Sequence, residues 1–126
     1  MATTVAILAS DNMMDSLNTD IGVSHKLILF TVGDVEVATM TYSAASGVVG
    51  SSNPIDLTYA HANYTDDTSA TGGTVNYAVI QTSGSAEKIR FSDPTNDISL
   101  SSLTITAGDT VDVNADIVIQ MPNHTA

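Results

Sequence analysis

The last quarter of the chain carries its clearest pattern. From Val111 the apolar residues fall on every second position, at Val111, Val113, Ala115, Ile117 and Ile119, with Thr110, Asp112, Asn114, Asp116 and Gln120 between them. A period of two marks a strand with one face buried and one face wet. Ahead of it, Ile98 and Leu100 share one parity while Leu103 and Ile105 share the other. That switch predicts a β-bulge or a bend at Ser101-Ser102. Ala107-Gly108-Asp109 hinges this final pair of strands.

Lys26 to Val32 is apolar on both parities, at Leu27, Ile28, Leu29, Phe30 and Val32, and so predicts a central strand. Gly33-Asp34 makes a two-residue turn into a second strand, Val35 to Ser43, and the pair reads as a hairpin. Residues 44–54 are small, polar and glycine-bearing and form a loop. A strand follows from Ile55 to about Tyr64, with Ile55, Leu57, Tyr59 and His61 on one face, and residues 65–74 read as an exposed, mobile tip. Val75 to Thr82 and Glu87 to Phe91 are strands joined by Ser83-Gly84-Ser85, and Asp93 to Asp97 is a turn in which Pro94 presets φ. Residues 3–20 alone show a helical period: Ile7, Met14, Leu17 and Ile21 recur at spacings of seven, three and four, and Val5 and Met13 widen the stripe. Thr3 or Thr4 caps the start and Gly22 ends it. The layout predicts a mainly β fold: a single-domain antiparallel β-sandwich or partly closed barrel of about seven strands over residues 25–126, with a short helix or arm over residues 1–24.

A length of 126 residues suits one domain. Size scaling expects a folded surface of roughly 6,300 Å² against about 19,000 Å² unfolded, enough for a modest core. Charge narrows the partners. Acids number 14 and bases three, a formal net charge of −11. Lys26, Lys88 and Arg90 are too few to replace counterions on a nucleic acid or to hold an anionic membrane. The acidity favours solubility and repulsion between free copies, and it suits a surface that meets water or a basic partner. No cysteine is present, so this chain has no disulfide and no thiolate metal site. The first 24 residues hold no Lys or Arg and are interrupted by Asp11, Asp15 and Asp20, which is not the pattern of a secretory signal. The longest apolar run, Leu27 to Phe30, is too short to cross a bilayer. The expectation is a soluble product of the cytoplasm.

Candidate chemistry is thin. Asp66-Asp67 and Asp93 to Asp97 lie in oxygen-rich loops, but no calcium-loop spacing accompanies them, and Asp favours turns for backbone reasons alone. Asp112 and Asp116 share the wet face of the last strand, with Asp109 nearby. They read either as a solvated face or as an acidic surface that meets Lys or Arg of a partner subunit. His25, His61 and His124 are scattered without zinc-ligand spacing, and His61, on the apolar parity of its strand, is expected to be partly buried. Gly47 to Ser52 looks like a phosphate loop but lacks the lysine, no G-x-S-x-G elbow occurs, and the sequons at Asn63 and Asn123 read as chance. No nucleophile, base and oxyanion site assemble, so no catalytic residue, metal or cofactor is assigned and a non-enzymatic role is expected.

Three motifs carry a resemblance. Lys26-Leu27-Ile28-Leu29-Phe30 resembles a first strand of the K-L-x-I-Y/F kind, and Ala38-Thr39-Met40-Thr41-Tyr42-Ser43 a second of the A-x-x-T-Y/F-S kind. Leu103 to Val113 resembles a closing L-x-I-x-A-G-x-x-V-x-V. In order and spacing over most of residues 25–120, the chain resembles small β-rich virion structural proteins of tailed bacteriophages. The resemblance implies a head decoration (cement) protein, made in the host cytoplasm and seated on the capsid surface. It implies the major capsid protein as partner, a homo-oligomer with a trimer favoured, and neither nucleic acid nor membrane as ligand. It carries over no catalytic residues. A tail or neck component, or a tip module that touches the host, is the alternative, and a small metal-dependent enzyme is a third reading. The acidic N-terminal segment and the long loop from Asp66 to Thr74 depart from the family pattern. The expected contact set is Ile7, Met13, Met14, Leu17 and Ile21.

Overall fold

In chain order, the computed structural model contains β1 (Val5–Ala6), helix α1 (Ile7–Ile21), β2 (Lys26–Phe30), β3 (Glu36–Thr41), β4 (Val48–Val49), β5 (Asp56–Tyr59), a 3-10 turn (His61–Asn63), β6 (Asp67–Thr68), β7 (Gly73–Thr74), β8 (Tyr77–Gln81), β9 (Glu87–Phe91), helix α2 (Pro94–Asp97), β10 (Thr104–Ile105), β11 (Thr110–Val111), β12 (Ile117–Gln120) and β13 (His124–Thr125). The structure describes residues 5–44, 47–50, 56–98, 100, 102–120 and 124–125, and of residues 5–12 and 124–125 the backbone alone. The Thr3 or Thr4 cap, the start of a strand at Ile55, the bend at Ser101 and parts of the 44–54 loop lie outside the described residues.

Two antiparallel sheets face each other, and among the described residues neither closes on itself, so the fold is the sandwich-like alternative rather than the barrel. The first sheet has the order β3-β2-β8-β9 and the second β12-β5-β4. Leu27, Leu29, Met40 and Ile80 from the first meet Leu57, Tyr59 and Ile117 from the second in one core. β2 is apolar on both parities because it is central: Ile28 and Phe30 point to the other side of the sheet, where they form a small second cluster with Tyr77 and Val79.

The two hairpins of the first sheet share one loop design. In the first, Asp34 N–H bonds the Thr31 carbonyl and Thr31 N–H bonds the Val35 carbonyl; in the second, Ser85 and Thr82 do the same with Thr82 and Ala86. Asp34 (φ 63°) and Ser85 (φ 70°) take the left-handed position of a three-residue hairpin loop. The connection is therefore longer than the two residues expected, and Val32 sits on the loop, 82% exposed, rather than in the strand.

Two expectations needed larger correction. Residues 65–74 do not form a projecting tip. Alternate side chains stitch this segment to the free edge of β3: Thr65 Oγ1 accepts from Thr41 N, Asp67 Oδ2 from Thr39 N (2.8 Å), while Ser69 Oγ donates to the Val37 carbonyl (2.7 Å) and Thr71 Oγ1 to that of Glu36. Polar residues at a spacing of two look like loop composition, yet here they pair an edge. The final strand is also broken. β10 pairs β7, β11 pairs β6 and β12 pairs β5, with no regular strand between Asp112 and Asp116. The burial parity survives the break, since Val111, Val113 and Ile117 are all buried. Among the described residues the strands are thus more numerous and shorter than the seven expected: seven of the thirteen described are two residues long.

Candidate functional site

The expected contact set lies on α1, which the chain folds as a helix up to Gly22, in the left-handed conformation (φ +72°), whose N–H bonds the Asn18 carbonyl. The helix starts at Ile7 rather than at Thr3, because Val5 and Ala6 are extended and pair in parallel with His124 and Thr125. Met14 and Ile21 are 0% and 1% exposed and belong to the core between the sheets. They are holding residues of the fold and are not free to meet a partner, which corrects the expectation for those two. Leu17 is half-buried against the core, Met13 is 52% exposed, and both border a shallow groove with Ser16 and Asp20. The Ile7 side chain lies outside the described residues.

Behind α1, His25 is fully buried among three of the chain's four tyrosines. Its ring stacks on Tyr42 (centroids 4.7 Å apart) and meets Tyr59 and Tyr64 edge-on at 4.6 and 5.5 Å. Nε2 lies 2.7 Å from the Tyr64 hydroxyl, and Nδ1 has no well-aligned partner among the described residues, although the Gly22 backbone nearby slightly favours the proton. Burial dominates and pushes the imidazole down to about 4. Burial likewise raises the Tyr64 and Tyr59 phenols, each helped by a neighbouring tyrosine. Asn18 joins helix to cluster: its Oδ1 accepts from Tyr59 OH (3.2 Å) and Gly47 N (3.1 Å), and its Nδ2 donates to the Gly47 carbonyl. The cluster is a neutral, aromatic clasp between α1 and both sheets. Sequence reasoning missed it, although His25 shares the parity of Leu27 and Leu29 and Tyr42 that of Met40.

His61 reverses its expectation. β5 ends at Tyr59, so the alternation stops before His61, and the ring stands exposed on the 3-10 turn. Asp116 Oδ1 accepts from His61 N (3.0 Å) and lies 2.7 Å from His61 Nδ1. These two bonds hold the Asp116 carboxyl below the usual range, the backbone bond contributing most. The pair fastens the turn after β5 to the start of β12. Asp112 is exposed and, with Asp109, Asn114, Leu100 and Val111, lines an open hollow of about 220 Å³. Asp112 and Asp116 therefore do different things: one lines a hollow and the other is bonded to His61.

Among the described residues no three His, Cys, Asp or Glu side chains converge to hold a metal, and no helix is long and apolar enough to cross a membrane. No family model, curated protein or solved structure matches the chain.

Proposed function

We propose that the protein is a non-enzymatic virion component of a tailed bacteriophage, a decoration (cement) protein that binds the outer surface of the head and braces the lattice of the major capsid protein. The resemblance over residues 25–120 supports the class. The observation that carries a contact role is the two-sided character of α1: Met14 and Ile21 lock one side into the core, while the other presents half-exposed Met13 beside Leu17. A helix held rigid by its inner side loses little entropy when its outer side is covered. Repetition by symmetry then turns a small contact into firm attachment.

The test is cosedimentation of the purified protein with capsids assembled from the major capsid protein of the same phage. M13D should abolish binding while the folded chain keeps its melting temperature, since Met13 is 52% exposed whereas Leu17 packs against the core. Undiminished binding by that variant removes α1 from the interface. Density for the protein at the neck or tail of the native particle, rather than on the head, overturns the cement reading.

A further inference from the structure

The buried histidine of the clasp sits between a hinge and a lid. His25 is fully buried, and just ahead of it the chain passes from α1 to β2 through Gly22 (φ +72°) and Ser24 (φ +54°), both left-handed, with Val23 exposed between them. The walls around the ring are fastened unequally. Tyr42 N–H bonds the His25 carbonyl and Tyr42 bridges to Tyr64, while Tyr59 is paired with Ile117 in the ladder of β5 and β12. Helix α1 has no such ladder. Among the described residues it is held by the three bonds of Asn18, by the apolar side chains of Met14, Leu17 and Ile21, and by the two-residue pairing of β1 with β13 ahead of it.

The site offers no counter-charge to a second proton on the ring. Nε2 faces the Tyr64 hydroxyl, and Nδ1 has only the Gly22 backbone near it. The titratable groups that face the ring are all phenols: Tyr42 beyond the end of β3, Tyr59 on β5 and Tyr64 after the 3-10 turn. α1 brings the neutral Asn18 to the cluster and leaves Asp15 and Asp20 exposed, and Lys26 and Asp56 fall on the outward parities of β2 and β5. Among the described residues no carboxylate pairs with His25. The Tyr42 face attracts a cation, but less strongly than the water that a buried charged ring gives up.

We propose that His25 is an acid-operated latch for α1: when the ring takes up a proton, the helix swings out about Gly22–Ser24 and admits water to it, while the first sheet stays paired. The helix is the wall that leaves without opening either main sheet, and hinges are built from a few terminal residues of this kind. Swinging out also uncovers Met14 and Ile21, so acid converts a sealed helix into an apolar arm. The closed ring titrates at about 4 and an open one at the ordinary 6.5, so the closed form loses ground as pH falls between those values. The latch belongs to the free chain. It stands apart from the capsid reading, and the two fail separately.

Native-state hydrogen exchange of the whole chain at about pH 7 and about pH 5, expressed as protection factors, tests this. Protection of the α1 amides should lie below that of β2 and β8 at both, and should fall about twentyfold from the first condition to the second. H25Q, or H25F if that variant does not fold, should hold α1 protection level across the interval. Protection of α1 equal to that of β2 and β8 throughout would mean that the helix leaves only with the whole fold. A lower protection that ignores pH would mean that it frays without uncovering His25, and a fall that persists in the folded variant would place the titrating group elsewhere. Each of these three results overturns the proposal.

Discussion

The two edges of β3 are satisfied by different means, and the contrast divides the molecule. On one side, β2 supplies a backbone ladder in register from Lys26 with Thr41 to Leu29 with Ala38. On the other, residues 65–71 supply mainly side chains, one residue in two, beside a backbone bond from Thr65 N to the Thr41 carbonyl. The ladder tolerates many side chains because its donors and acceptors belong to the backbone. The stitched edge depends on the identity of each residue and closes with ladders of only two residues, β6 with β11 and β7 with β10. The expected consequence is unequal stability, with the stitched region opening locally while the first sheet opens only with the whole fold.

Leu29→Ala acts on the ladder side. Leu29 is fully buried, and truncation should cost about 2–5 kcal/mol in urea unfolding, with amide exchange accelerated everywhere. Gly72→Ala acts on the stitched side. Gly72 has φ +65°, and a Cβ would lie 2.6 Å from Ala107 N and 2.7 Å from the Ile105 carbonyl, both backbone atoms. The strain should cost about 3 kcal/mol, with exchange accelerated over residues 65–74 and 104–111 and little changed in β2 and β8. Equal acceleration in both regions would erase the distinction.

Acid probes the clasp that joins the two sheets. The folded His25 pKa, about 4, lies below the ordinary 6.5. Between those values the unfolded chain holds a proton that the folded chain does not, so stability falls as pH drops from 6.5 toward 4 and levels off below. The loss should reach roughly 3 kcal/mol, and His25→Gln, which retains a partner for Tyr64, should flatten it. A wild-type profile already flat between those limits would show that the buried ring takes up its proton without penalty.

Ser69→Ala should cost about 1–3 kcal/mol, because Ser69 Oγ, fully buried, both donates to the Val37 carbonyl and accepts from Gly72 N. Hydrogen exchange should again locate the damage beside β3. The smallest effect is expected from Asp116→Asn, since the His61 pair is exposed. Asp116 has a lowered folded pKa, so whatever it contributes is present above the usual carboxylate range and fades as pH falls through the folded value.

The alternation of apolar residues determined the mainly β class, the central place of Lys26–Phe30 and the inward set Val111, Val113 and Ile117; periodicity and Gly22 placed the helix and its end. These features rest on local period and on burial, and both are written along the chain. The contact set was legible as an apolar stripe, but a stripe does not say which of its members the body of the protein covers. Met14 and Ile21 went to the core and Met13 to the surface only because both sheets close over one side of α1. His25 is buried and His61 exposed for the same kind of reason: His25 holds the parity of a buried strand, while the strand carrying His61 stops two residues early. The stitching of Thr65, Asp67, Ser69 and Thr71 was beyond local reading, because a polar residue in sequence shows its capacity to hydrogen-bond and not its partner, and these partners lie 24 to 35 residues away.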